Sequence, residues 1–340
     1  MNRSIALILI LSMPLAFTQA PKQVGPAGKG QHIVASGHLV APAGRSLEWG
    51  ARPTDIVLSP DGKWAYTKDN QGITVIDVEN WEVHQQRSFT DDQGSSMHGL
   101  TLSPHGETLY ATTANNRLYI ASVSKNNGRA KWKKHIVLPG PKGGDDPSYP
   151  TGLALNKEGT VAWVCLSRNN ALVEVDLKEG TITRTIPVGV APYTVVLSSD
   201  ESTAYVSNWG GRRATENNLT ATSSGTDVVV DERGVASTGS VSVIDLKEAK
   251  ETQQIETDLH PSDLLLNDDG SKLYVACVNS DTVVVIDTAK NSVAERILVR
   301  PDAALPFGSM PNALALRGDT LYVANGGNNA IAVVQLNEDA

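Results

Sequence analysis

Cysteine is nearly absent from this 340-residue chain; the two present, Cys165 and Cys277, each sit inside an apolar run. That excludes a disulfide scaffold, a cysteine-held zinc and a c-type haem, and leaves two buried thiols as the expectation. Positive charge is also scarce, with 29 Lys and Arg against 37 Asp and Glu. An acidic chain has no face for nucleic acid or for an anionic membrane surface. Its one basic cluster, Lys125 to Lys134 around Trp132, reads as a strand edge guarded by lysines against further pairing. Long apolar runs are missing beyond the first twenty residues. There, Arg3 precedes the run Ile5–Leu11 and a Thr-Gln-Ala ending follows, the pattern of a secretory signal too short to span a membrane. Residues 1–20 are therefore expected to direct a periplasmic or secreted protein with no membrane span. No segment after them keeps a helical period over three turns. No Gly-x-Ser-x-Gly, His-Glu-x-x-His or Cys-x-x-Cys-His string occurs, so the common hydrolase, metalloprotease and haem signatures are not there to assign.

What is present is a repeat. Segments starting near residues 52, 96, 149, 191, 260 and 310 share one pattern. A Pro-led strand is followed by an Asp/Gly turn, a strand with an aromatic marker, a polar turn and a β-branched strand. The markers Tyr66, Tyr110, Trp163, Tyr205, Tyr274 and Tyr322 recur at intervals of roughly 40 to 70 residues, the period of β-propeller blades with inserts. The longest insert is 212–239, in the fourth repeat. A fourth strand follows several units, as in "TITRTIPVG", "ETQQIETD" and "SVAERILVR". The expected fold is thus all-β, a propeller of four-stranded antiparallel blades filling residues 21–340, six-bladed or an incomplete seven. Aligning "ILVRPDAALPFGSMPN" with "LVAPAGRSLEWGARPT" puts residues 39–41 where a fourth strand would close the ring.

The strings "LYVANGGNNAIAV", "LYVACVNSDTVVVIDT" and "AYVSNWGG" resemble YVTN-repeat propellers, the YncE-like family. With "NWGGRR", "TSSGTDVVVDERGVASTGSVSVIDL" and "VRPDAALPFGSMPNALAL", the chain is similar to the N-terminal propeller of bacterial exported propeller–phosphoesterase proteins of the alkaline-phosphatase type. The resemblance implies a further blade and a phosphoesterase domain after the last repeat. It assigns the metal ligands and nucleophile to that domain, so no catalytic residue, metal or other cofactor is expected within these residues. A phosphoesterase domain or partner and an unidentified small or polymeric ligand are the implied associations.

Propellers bind where blade loops converge at the channel mouth. The column beside each repeat's Pro places Arg52, His98, Tyr149, Tyr193, His260 and Asn312 there, donors suited to an anionic or polyhydroxy ligand. Trp209 offers a stacking face, and Arg212 and Arg213 a grip for carboxylate or phosphate. Ordinary loop polarity accounts for the same residues. Two functions follow: a binding or scaffold module of a phosphoesterase system, or a lactonase-like hydrolase using His98, His260, Asp55 and Asp263. In the hydrolase reading the two aspartates must face the channel rather than begin strands and point sideways.

Overall fold

The computed structural model describes residues 23–35, 37–91 and 94–336, so the signal segment lies outside the described residues. The chain divides into two units, residues 1–48 and 49–340. In the first, Gly25–Gly28, Gln31–Ile33 and Leu39–Val40 form a three-stranded antiparallel sheet. Leu39–Val40 therefore pairs with Gln31–Ile33, not with the sixth repeat. The cause is local: Val34 N–H donates to His38 O at 3.0 Å and Gly37 N–H to Val34 O at 2.8 Å, closing a tight turn. Closing so short a loop costs far less chain entropy than pairing with a strand near residue 330.

The second unit is a succession of antiparallel sheets, one per repeat, with no helix among the described residues. The first blade comprises Pro53–Leu58, Trp64–Asp69, Gly72–Asp77 and Glu82–Ser88. The second comprises Ser95–Leu102, Thr108–Thr113, Arg117–Val123 and Ala130–Val137, whose lysine-rich last strand is the blade's outer edge. The third comprises Pro150–Leu155, Val161–Leu166, Ala171–Asp176 and Thr181–Pro187. The fourth comprises Val190–Leu197, Thr203–Gly211, Gly239–Asp245 and Lys250–Thr257, with the hairpin Thr220–Ser223 and Thr226–Val229 inserted after its second strand. The fifth comprises Pro261–Leu266, Lys272–Cys277, Thr282–Asp287 and Ser292–Leu298. The sixth has three strands, Pro311–Arg317, Thr320–Asn325 and Ala330–Gln335. This is the all-β propeller that the repeat period implies.

Apolar side chains on both faces of a sheet can leave water only between neighbouring blades, and the core is divided accordingly. Five apolar clusters each join two consecutive blades. The markers Tyr66, Tyr110, Trp163, Tyr205 and Tyr274 are 5% exposed or less, each contributing about 1.5–3 kcal/mol of burial. Tyr322 of the sixth blade is 37% exposed, and its neighbours Ile331 and Val333 are 60% and 65% exposed where the equivalent Val283 and Val285 are buried. Cys165 and Cys277 are free and buried within second strands, as the apolar context requires.

Candidate functional site

The first strand of each blade has a register shift just after its Pro position. Ahead of four of these prolines the chain takes a left-handed conformation, at Tyr149 (φ 50°), Ala191 (φ 52°), His260 (φ 63°) and Met310 (φ 56°). Non-glycine residues avoid that region, and a following proline disfavours helical backbone further. Local strain of this kind persists only where other bonds over-determine it. Here three of the four carbonyls, those of Tyr149, His260 and Met310, accept from Ser167, Val278 and Gly326 N–H at 3.1–3.2 Å, pinning the turn to the end of the neighbouring strand. The same turn brings Tyr149 and His260 into one space.

That space is a chamber of about 570 Å³. Tyr149, Tyr193, Trp209 and His260 line it, so four of the residues expected from the repeat column and the "NWGGRR" string come together. Tyr193 lies between His98, whose ring is stacked on it at 5.4 Å, and Trp209 at 5.1 Å; Trp209 meets His260 edge-on at 4.1 Å. Met97, Val190 and Pro150 add apolar wall. The insert supplies the roof, through Ala221, Thr226, Val228 and Val230. Asn170 fastens it, donating from Nδ2 to Thr226 Oγ1 at 2.9 Å and accepting at Oδ1 from Ala191 N–H at 2.9 Å.

The other expected residues lie elsewhere. Arg52 is exposed at the head of the first blade, and Asn312 is exposed on the sixth. Arg213 donates to Val188 O and Asn170 O, both at 2.8 Å, and Arg212 to Asn218 Oδ1 at 2.9 Å, so both guanidiniums brace the insert. His98 sits behind Tyr193, its Nδ1 3.0 Å from Asp55 Oδ2. Asp55 also accepts from Gly99 and Leu100 N–H at 2.7 and 2.9 Å, and Asp263 accepts from Leu314 N–H at 2.8 Å. Both aspartates thus point sideways and tie an innermost strand to the next blade. Gly99 must be glycine: its φ is 111°, and a Cβ there would lie 2.1 Å from both Thr112 Oγ1 and Thr151 O.

Electrostatics at the axis follow from this packing. Burial raises the Asp55 carboxyl, but the His98 pair, Lys68 and the Gly99 N–H outweigh it and hold the pKa below the ordinary value. Burial opposes charge on His98, yet Asp55 raises its pKa overall, so the ring favours the protonated form. Burial, with a smaller push from the Asp55 charge, raises Asp263 above its ordinary value despite the opposing pull of His98 and of the Leu314 and Leu264 N–H groups. His260, half-buried without a carboxylate partner, is lowered by desolvation to about 4 and is neutral at pH 7.

Sequence reasoning passed over Lys68, which is fully buried and lowered to about 7 by desolvation, only partly offset by Asp55. Its Nζ donates to Ser96 Oγ at 2.8 Å and His98 O at 2.7 Å. The signal was available: two residues after each aromatic marker, the other repeats carry small residues, Thr112, Cys165, Ser207, Ala276 and Ala324. Thr112 and Ser207 reach the next blade similarly, donating to Thr151 O and Ser262 O. The roof residues had no such signal, since the insert has no counterpart in other repeats.

Among the described residues no three His, Cys, Asp or Glu side chains are grouped as metal ligands. Nor is any helix among them long and apolar enough to cross a membrane, which says nothing of β-barrels. Comparison with known proteins gives one family match: residues 45–210 match the SMP-30/gluconolactonase/LRE-like region, short of half the chain. No curated protein matches. Among solved structures, hydrazine synthase of Kuenenia stuttgartiensis is similar at 18% identity over 87% of this chain and 99% of that one, with a TM-score of 0.49. A functionally unknown protein from Desulfotomaculum acetoxidans is similar at 14% identity over 90% of this chain and 82% of its own, with a TM-score of 0.54. At such identities the likeness speaks to architecture alone: the chain is an all-β propeller, similar over residues 45–210 to the SMP-30/gluconolactonase/LRE-like region.

Proposed function

We propose that the chain is a ligand-binding propeller whose site is the roofed chamber at the mouth of the channel. The carrying observation is the chamber itself: about 570 Å³, within the range of small-molecule sites, walled by Tyr149, Tyr193 and Trp209 and covered by the insert. Nothing in the lining makes a nucleophile–base pair of the kind covalent catalysis needs, which favours binding over turnover. A thermal-shift screen of small molecules tests this. Compounds that raise the melting temperature lose that effect in Ala221→Trp, which fills the chamber from its exposed roof strand. Stabilisation unchanged by that substitution refutes the assignment.

The setting implied by the YncE-like resemblance belongs to the same proposal: an exported module that supplies recognition to a phosphoesterase. Cell fractionation and co-purification with phosphoesterase activity test it, and an intracellular protein without such a partner overturns it.

A second reading, a lactonase-like hydrolase, is favoured by the Asp55–His98 pair, which lies inside the family match. A buried carboxylate orienting a histidine is half of a general-base device. Against it, His98 is biased toward protonation and Asp55 is committed to two backbone donors. Lactone hydrolysis by the purified chain, abolished in His98→Gln, would establish this reading; no turnover with or without added divalent metal removes it.

A further inference from the structure

Resting on the ligand-binding reading, we propose that the chamber takes a neutral, planar aromatic molecule carrying a hydroxyl or N–H donor. Ring faces dominate the walls: Tyr149, Tyr193 and Trp209 come from two blades, and stacked or edge-on contacts favour another flat ring between them.

Charge is absent in effect. Arg168 is the lining guanidinium, and it is already spent: Nη1 lies 2.6 Å from Asp146 Oδ1 and donates to Pro147 O at 2.9 Å. His260, the other basic group, is neutral at pH 7, and no carboxylate lines the chamber. A ligand carboxylate, phosphate or ammonium would thus lose its hydration and find no free counter-charge.

The hydroxyls narrow the class further. Thr151 and Ser167 line the chamber and both donate their proton to Pro192 O, whereas Ser96, which donates to His98 O, already accepts from Lys68 Nζ. What Thr151 and Ser167 keep for a ligand is lone pairs, which suit a ligand that donates. Trp209 Nε1 is buried with no acceptor, and a ligand oxygen would satisfy it. A phenolic O–H can do both.

The test is titration of the full chain with 2-naphthol, its anionic isostere 2-naphthoate, and glucono-1,5-lactone, followed by calorimetry. Expected is saturable binding of 2-naphthol, weakened about tenfold or more by Trp209→Ala and by Tyr149→Ala, with 2-naphthoate at least about tenfold weaker. Tyr149 is 42% exposed, so its truncation leaves the fold intact if Trp209→Ala does not. Binding of 2-naphthoate or the lactone as tight as 2-naphthol, and lost in either variant, overturns the neutral aromatic class while leaving the chamber a binding site. Binding of 2-naphthol indifferent to both variants overturns the class as well. Failure of all three probes overturns this inference and the binding reading together.

Discussion

Removing Asp55 should destabilise the contact between the first two blades. Its carboxylate, 11% exposed, holds three groups of the second blade: Gly99 N–H, Leu100 N–H and the His98 ring. Asp55→Ala leaves two donors of buried residues unsatisfied, at about 1–3 kcal/mol each, and strips the imidazolium of its partner. Because His98 can shed its proton, these losses do not simply add. The expected total is about 3–5 kcal/mol, the range for breaking one side of a buried pair. Asp55→Asn keeps an acceptor oxygen and should lose about half as much. Asp55 has a lowered folded pKa, so its contribution is complete above its unfolded value of about 3.9 and disappears as pH falls through the folded one. His98 has a raised folded pKa, so its share is complete below about 6.5 and is lost as pH rises through the folded one. The gap between wild type and Asp55→Ala should therefore be widest between about pH 4 and 6.5. Equilibrium urea unfolding at several pH values measures it. A gap under about 1 kcal/mol at pH 5.5, or one that widens on further acidification, would refute the inter-blade role assigned to this carboxylate.

Other expectations are simpler. Val285→Ala should destabilise by about 2–3 kcal/mol, whereas Val333→Ala, at the equivalent position but 65% exposed, should change stability by less than about 0.5 kcal/mol; paired urea curves decide. Thr226→Val removes the bond that fastens the roof to Asn170, and amide exchange across residues 220–229 should quicken while the blades stay protected. Lys68 has a folded pKa of about 7, so between that value and about 10.4 the unfolded chain holds a proton the folded one lacks. Wild type should then gain on Lys68→Met by about 1.4 kcal/mol per pH unit over that window, and a flat difference would show that the amine keeps its proton.

The repeat was legible because each blade must bury both faces of its sheet. That requirement writes near-continuous apolar runs into the inner strands, as in Lys272–Cys277 and Thr282–Asp287, and places an aromatic at one fixed point of every repeat. Tyr66, Tyr110, Trp163, Tyr205 and Tyr274 mark the blade interfaces. Part of the chamber was legible too, since Tyr149, Tyr193 and His260 sit beside a Pro position that propeller geometry turns toward the channel. Arg212 and Arg213 misled because charge in a sequence carries no partner: only the fold shows their guanidiniums spent on Val188 O, Asn170 O and Asn218.

Sequence alone determined the class of fold, the number of visible repeats and the burial of both thiols, because these rest on periodicity and hydrophobicity, which are local properties. Tertiary structure decided the rest. It paired Leu39–Val40 with its nearest neighbours, brought the insert to the wall of the chamber, and set Lys68 among carbonyls of the second blade. A partner's identity depends on which surfaces meet, and residues 28 to 86 positions apart meet here only once the blades have packed.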